Sequence, residues 1–175
     1  MEDKLLFLLV FQKTNPLQTM HGLQFDLSQP HAHSWIHHLL AVLPCAFVAL
    51  DVALERDTSW VATSPLALEG GPNVALDGTE RRRQCPQDAR TQTGHYSGKK
   101  KAHTDKNLLL VNENTGKVSY LGPTIAGKTH DTRDADAASI IYPDNTTLDK
   151  DTSFQAYEPA GILIAQPKKS RKVRR

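Results

Sequence analysis

The chain has 175 residues, 39% of them hydrophobic and 6% aromatic, which is room for one ordinary domain or for a small helical module joined to an incomplete larger one. A formal net charge of +2 is too small to mark a nucleic-acid binder by itself; its distribution says more, because Lys168-Lys169-Ser170-Arg171-Lys172-Val173-Arg174-Arg175 crowds cations at the C-terminus. Cys45 and Cys85 lie far apart with no CxxC spacing, which argues against a zinc finger or a disulfide framework and for a reducing compartment.

Residues 3–13 read as a short apolar helix, stopped at Asn15-Pro16 because the residue before proline is pushed out of the helical region. The run Leu5–Phe11 has the length of a signal-peptide core, but Glu2 and Asp3 oppose a positive leader and the run is too short to cross a bilayer. The expectation is a cytoplasmic protein without a membrane partner. Leu17, Met20, Leu23 and Leu27 share one helix face, and Ser28 is a good N-cap for a helix over about Gln29–Val42 with Trp35, Ile36, Leu39, Leu40 and Leu43 as its buried stripe. Three short helices with tight turns form the minimum for a helix-turn-helix-like module, and they are equally a common unit with no DNA role. Ala46–Leu54 extends the helical texture, whereas Ser64-Pro65 and Gly70-Gly71-Pro72 are breakers. The division expected is a helical module over 1–60, a linker over 61–72, an α/β domain over 73–167 and a basic tail over 168–175.

Past the linker the pattern turns to strands: Asn73–Thr79, Lys106–Asn112 and Lys117–Leu121, the last two joined through Asn114-Thr115-Gly116. A helix is expected over Asp131–Ile141, then strands over Thr146–Lys150 and Ala160–Ala165. Three strands, a helix and further strands, with carboxylates at strand ends, are compatible with a partial RNase H-like α/β core.

Asp77 and Asp151 each close a candidate strand and could meet at one sheet edge. Two such carboxylates repel unless a divalent cation lies between them, the arrangement by which Mg²⁺ is held on few protein ligands plus phosphate oxygens. The same residues would also serve as a turn dipeptide and a helix cap. Lys99, Lys100, Lys101, His103 and Lys106 suit phosphate contacts, or a solvated loop. His33 and His37 stand four apart beside His31 and His38, but no further ligand completes a tetrahedral set. Gly122-Pro123-Thr124-Ile125-Ala126-Gly127-Lys128-Thr129 fits GxxxxGK[ST] in letters, without the strand before it and the long helix after it that a phosphate loop needs.

Five motifs stand in register: Asp77-Gly78-Thr79-Glu80-Arg81, Tyr96-Ser97-Gly98-Lys99-Lys100-Lys101 with His103-Thr104, Lys106-Asn107, Gly127 with His130-Asp131, and Asp151-Thr152-Ser153-Phe154-Gln155. Together they resemble the insertion-sequence transposases of the DDE superfamily endonuclease type, related to Harbinger-like transposases. Lys13-Thr14-Asn15-Pro16, Leu27-Ser28-Gln29 and Trp35-Ile36-His37 resemble that family's N-terminal helix-turn-helix. The resemblance implies an RNase H-like core that cuts and joins DNA with two divalent cations, Mg²⁺ or Mn²⁺. Asp77 matches the first acidic residue and Asp151 the second, where the family reads D-x-G-F-Q; Asp131 is a further candidate metal ligand. DNA contacts are implied for Lys99, Lys100, Lys101, His103 and Lys106, and for Ser28 and Gln29 in the leading module. Transposon-end DNA is the implied partner, a homo-oligomer the implied assembly, and the cytoplasm (the nucleoid, if bacterial) the implied place. Ser153 replaces a family glycine, Cys85 an arginine and Asp105 an apolar residue. The family's third carboxylate, a glutamate on a later helix, has no counterpart before Arg175. The expectation is therefore a C-terminally truncated transposase with little or no catalysis, or else a DNA-binding remnant.

Overall fold

The computed structural model describes residues 2–167; the expected basic tail, 168–175, lies outside the described residues. The chain forms two compact units, Met1–Ala53 and Leu54–Arg175.

The first unit is three helices: α1 (Glu2–Thr14), α2 (Gln18–Gln24) and α3 (Gln29–Ala49). Asn15 ends α1 in the left-handed region at φ 42°, its N–H returning to Phe11 O at 2.8 Å. The apolar run expected in α1 is only partly used, with Phe7 and Leu8 buried and Leu5, Leu6 and Leu9 about half exposed. The core is Phe7, Ala32 and Ile36, with Phe11, Phe25, Leu27, Trp35 and Leu39 packed around it. His21 is wholly buried against Phe7, ring centroids 4.2 Å apart, and bonds Phe7 O through Nε2 at 3.0 Å. α3 runs through Pro44 to Ala49, well past the expected end near Val42, because proline forfeits one backbone donor and the apolar residues beyond it still favour helix. By length and composition α3 could cross a bilayer, with mean hydropathy 1.3 and little of it buried.

The second unit begins at Leu54, inside the span expected to belong to the helical module. Glu55 bridges to Tyr120, Leu121 N donating to Glu55 O at 3.0 Å. A 3-10 turn follows over Thr58–Thr63, capped by Asp57, and then α4 (Pro65–Leu68). Ser64-Pro65 starts this helix because the first turn needs no donor from proline. Val61, Leu66 and Ala67 are buried, so residues 61–68 cover the sheet core and are not a linker. Asn112 holds them there, its amide donating to the carbonyls of Leu66, Ala67 and Glu69 at 3.0, 3.1 and 2.8 Å.

The remaining elements are β1 (Asn73–Arg82), α5 (Ala89–His95), β2 (Tyr96–Ser97), β3 (Ala102–Asn112), β4 (Val118–Leu121), β5 (Ile125–Ala126), α6 (Asp131–Ala138), β6 (Thr147–Lys150) and β7 (Leu163–Ala165). They build a curled mixed sheet of order β2-β3-β1-β6-β7, with β4 and β5 also paired to β3. β1 is antiparallel to β3 over nearly its whole length, whereas β6 runs parallel to β1 and β7 parallel to β6. Both long strands exceed expectation, since Glu80–Arg82 pair with Thr104–Lys106. α6 stops three residues short of the expected Ile141, at Ser139 in the left-handed region with φ 49°.

One face of the sheet is the core: Val74, Leu76, Leu108, Leu110, Tyr120 and Leu148 pack under Val61, Ala67, Ala135, Phe154 and Tyr157. The alternate residues Ala75, Leu109 and Val111 are only half buried, so the other face is less covered among the described residues. The chain is a mixed α/β protein.

Candidate functional site

Asp77 lies in the middle of β1, not at its end, because the strand continues to Arg82. Alternation with buried Val74 and Leu76 turns it to the less covered face, where it is exposed. β1 and β6 pair in parallel as far as Leu76 opposite Lys150, and Asp77 and Asp151 each follow that last pair by one residue. Both carboxylates use Oδ1 locally: Asp77 accepts from Gly78 N at 2.8 Å, and Asp151 accepts from Ser153 N at 2.7 Å and from the Ser153 hydroxyl.

The position of Asp151 is held from below. Lys150 is buried on the core face of β6 and its ammonium donates to Phe154 O at 3.0 Å and to Tyr157 O. Thr132 of α6 donates to Ser153 O at 2.9 Å. These bonds pin both ends of the turn that carries Asp151. Nearby, Tyr142 and Tyr157 share a hydroxyl hydrogen bond at 3.1 Å, and burial pushes both phenols up from their ordinary value.

Asp131 and Lys106 come together on the opposite, covered side. Lys106 donates to Asp131 Oδ1 at 2.7 Å and to Thr129 O at 2.8 Å, with both side chains largely buried. Lys106, expected to meet a phosphate, thus ties β3 to the first turn of α6, where an acidic residue also suits the helix dipole. Asp131, considered a metal ligand, spends its charge in this pair. Gly78 makes the approach fit: a Cβ there would stand 3.1 Å from Asp131 Oδ1. Gly127 is tighter still, since a Cβ would fall 1.9 Å from Thr104 Oγ1 and 2.7 Å from Thr104 O. Burial raises Asp134, and the neighbouring Asp131 adds to this while Lys106 opposes it.

A cavity of about 330 Å³ opens beside this pair, with Lys99, Lys128, Ser97 and Glu80 on its wall. Neither Asp77 nor Asp151 lines it. Glu80 organises the floor, where Thr104 donates to it at 2.6 Å. Burial pushes the Glu80 carboxyl up, but Ser97, Thr104, Lys106 and Lys100 together outweigh it and leave it below its ordinary value. Lys99, Lys100 and Lys101 form the exposed turn between β2 and β3, Lys101 at φ 51° and Lys100 N on Ser97 Oγ at 3.2 Å. His103 packs its ring against Tyr96. Ser28 and Gln29 are exposed at the start of α3, in the other unit, and Ser28 makes no side-chain capping bond.

The remaining sequence candidates resolve simply. His33 and His37 pack ring to ring at 4.3 Å, and His33 bonds Gln18 at 3.2 Å. The GxxxxGK[ST] letters fold as β5 and a turn whose N–H groups of Gly127, Lys128 and Thr129 are already spent on Thr104, Gly94 and Ala126. Among the described residues, no group of three or more His, Cys, Asp or Glu side chains could hold a metal ion. Asp105, at an apolar position of the motif, is paired with Arg83 at 3.1 Å and His95 at 3.0 Å.

Glu80, Thr104 and Lys150 were not singled out from the sequence as site residues. Glu80 closes the Asp77-Gly78-Thr79-Glu80 motif, and its period-two spacing from Leu76 was the signal that it faces inward. Lys150 carried no such signal, since a lysine one residue before an aspartate reads as surface. No family model, curated protein or solved structure matches this chain.

Proposed function

We propose that the second unit is a partial RNase H-like core of the DDE transposase type, in which Asp77 and Asp151 hold a divalent cation against a DNA phosphate. One observation carries this reading: the parallel β1–β6 register ends at Leu76 and Lys150, one residue before Asp77 and Asp151, which supports placing the two carboxylates at one end of the strand pair. The sheet supports it, as an antiparallel β1-β3-β4 meander with β6 and β7 added in parallel on the other side of β1, and α6 connecting the two parts.

The residues fit a hard cation. Both are exposed carboxylates whose hydrogen bonds among the described residues fall on Oδ1, and Mg²⁺ or Mn²⁺ commonly takes one or two carboxylates and completes its shell with water and phosphate oxygens. When bound, such an ion stabilises charge on phosphate oxygens and lowers the pKa of attacking water. Asp77 and Asp151 position it, the bonds from Lys150 and Thr132 keep Asp151 in place, and the exposed Lys99–Lys101 turn supplies phosphate contacts. Two carboxylates give an incomplete set, so strand cleavage by this chain alone is slow or undetectable. Its substrate is transposon-end DNA, its place the cytoplasm or bacterial nucleoid, and its working form a homo-oligomer.

Mn²⁺ binding followed by electron paramagnetic resonance, with plasmid nicking in Mg²⁺ or Mn²⁺, tests this. Asp77→Ala and Asp151→Ala should each weaken Mn²⁺ binding at least about tenfold. Binding unchanged in the double variant would sink the metal site, and nicking abolished by Asp77→Ala would overturn the low activity. A second reading, DNA binding without cleavage, draws on the same lysine turn; it expects salt-steep DNA affinity that survives loss of both aspartates.

A further inference from the structure

Tyr96 is the residue around which a second site is built. It sits in β2, its Cα paired with His103 across the hairpin, and its ring meets the His103 ring edge to face at 5.6 Å and 70°. The hairpin is anchored beneath by Ser97, which is 4% exposed and accepts from Lys100 N at 3.2 Å. Despite that fixed base the tyrosine remains 46% exposed. A half-exposed aromatic ring packed against a neighbouring ring is unusual for a residue that serves only the core.

Two cavities adjoin at this ring. The one beside Lys99 and Ser97 measures about 330 Å³ and the one beside Gln92, Thr93 and His103 about 340 Å³; Tyr96 and Lys128 belong to the walls of both. Each is at the lower end of the size range for small-molecule pockets, so each is of nucleotide scale. Their charge is cationic where it is free. Lys106 and Asp131 neutralise each other, which leaves Lys99 and Lys128 against the single carboxylate of Glu80, itself engaged by Thr104.

We propose that Tyr96 is the stacking platform for an unpaired DNA base, with Lys99 and Lys128 holding the phosphates on either side and the two cavities taking consecutive nucleotides. Aromatic stacking plus lysines along a groove is how single strands are bound without sequence readout, and every base offers a face to stack. A paired base inside a duplex offers none. Gln92 and Thr93 line the second cavity with their donors engaged, the Gln92 amide on Pro86 O at 2.8 Å and the Thr93 hydroxyl on Ala89 O at 2.9 Å, so they would meet base edges as acceptors. Neither Asp77 nor Asp151 lines these cavities, but Lys99 belongs to the phosphate-contacting turn named above, and the choice of DNA as ligand rests on that reading.

The full chain is titrated into a single-stranded deoxyoligonucleotide carrying one 2-aminopurine and a terminal fluorophore, and into the same sequence as a duplex. The single strand is expected to bind more tightly and to lose 2-aminopurine emission as the base stacks. Tyr96→Ala should weaken single-strand binding about tenfold and abolish the quenching, while Tyr96→Phe keeps both. Lys99→Ala with Lys128→Ala should lower the salt slope by roughly one to two. In EDTA, where no cation bridges them to phosphate, Asp77→Ala with Asp151→Ala should change none of this, which separates failure of the metal reading from failure of this one. If Tyr96→Ala does not melt cooperatively, the Tyr96→Phe quenching and the lysine salt slope decide. Equal affinity for duplex and single strand, quenching that survives in a folded Tyr96→Ala, or a salt slope untouched by the lysine pair would each overturn the proposal.

Discussion

Glu80 shows how one side chain gathers a site. It sits at the far end of the face that begins with Val74 and Leu76, yet it meets hydroxyls where they meet apolar groups. Its carboxyl lies below the ordinary 4.5, so the ionised form is favoured by folding. The sign follows directly: its contribution is fully present above 4.5 and is lost as pH falls through the lower folded value. Glu80→Gln should lower stability at neutral pH and flatten the acid limb of the stability profile, as measured by urea unfolding at a series of pH values. An acid limb identical in parent and variant would remove Glu80 from this role. Gly127 belongs to the same scale, since only a residue without Cβ lets the chain lie against Thr104.

At the scale of elements, most of the secondary structure was legible. Period-two apolar spacing located β1, β3 and β4, and polar starts located α3 and α6. The errors cluster where long-range pairing overrides local composition. Arg81 and Arg82 look like the end of a strand, but they continue β1 because β3 reaches back to Thr104 beside them; Arg81 then bonds Asn107 at 2.6 Å and Thr124 at 3.1 Å. Ser64-Pro65 reads as a linker and is a helix start. Of the site, the two aspartates were legible as strand-associated carboxylates, but the fate of Lys106 was not, because a lysine's partner on another element leaves no trace in its own neighbours. Lys150 exemplifies this in β6. Lys150→Met keeps the apolar stem but leaves the carbonyls of Phe154 and Tyr157 without their buried donor. It should destabilise the second unit by about 2–3 kcal/mol and, by loosening the turn, weaken Mn²⁺ binding at Asp151. Denaturant melts and Mn²⁺ titration of the variant check both, and a neutral effect on stability would show that the turn holds itself.

Across the whole molecule, the two units differ in how much they bury. The sheet unit has a continuous core from Val61 to Tyr157, whereas the helical unit rests on Phe7, Ala32 and Ile36 with a ring of half-buried aromatics. A unit of this size has little stability to spare. Phe7→Ala, which removes the ring that His21, Phe25 and Trp35 all contact, should cost about 3–5 kcal/mol and abolish cooperative melting of the helical far-UV signal; an unchanged melt would show that the aromatic cluster is not its core. Local sequence determined which segments become helix or strand, because capping, proline and apolar periodicity act within a few residues. Tertiary structure alone decided that β1 pairs with β6 up to Leu76 and Lys150, that Lys106 is spent on Asp131 and that Tyr96 stands between two cavities. Each of these depends on strand register and burial, which are set by contacts between residues far apart in the chain.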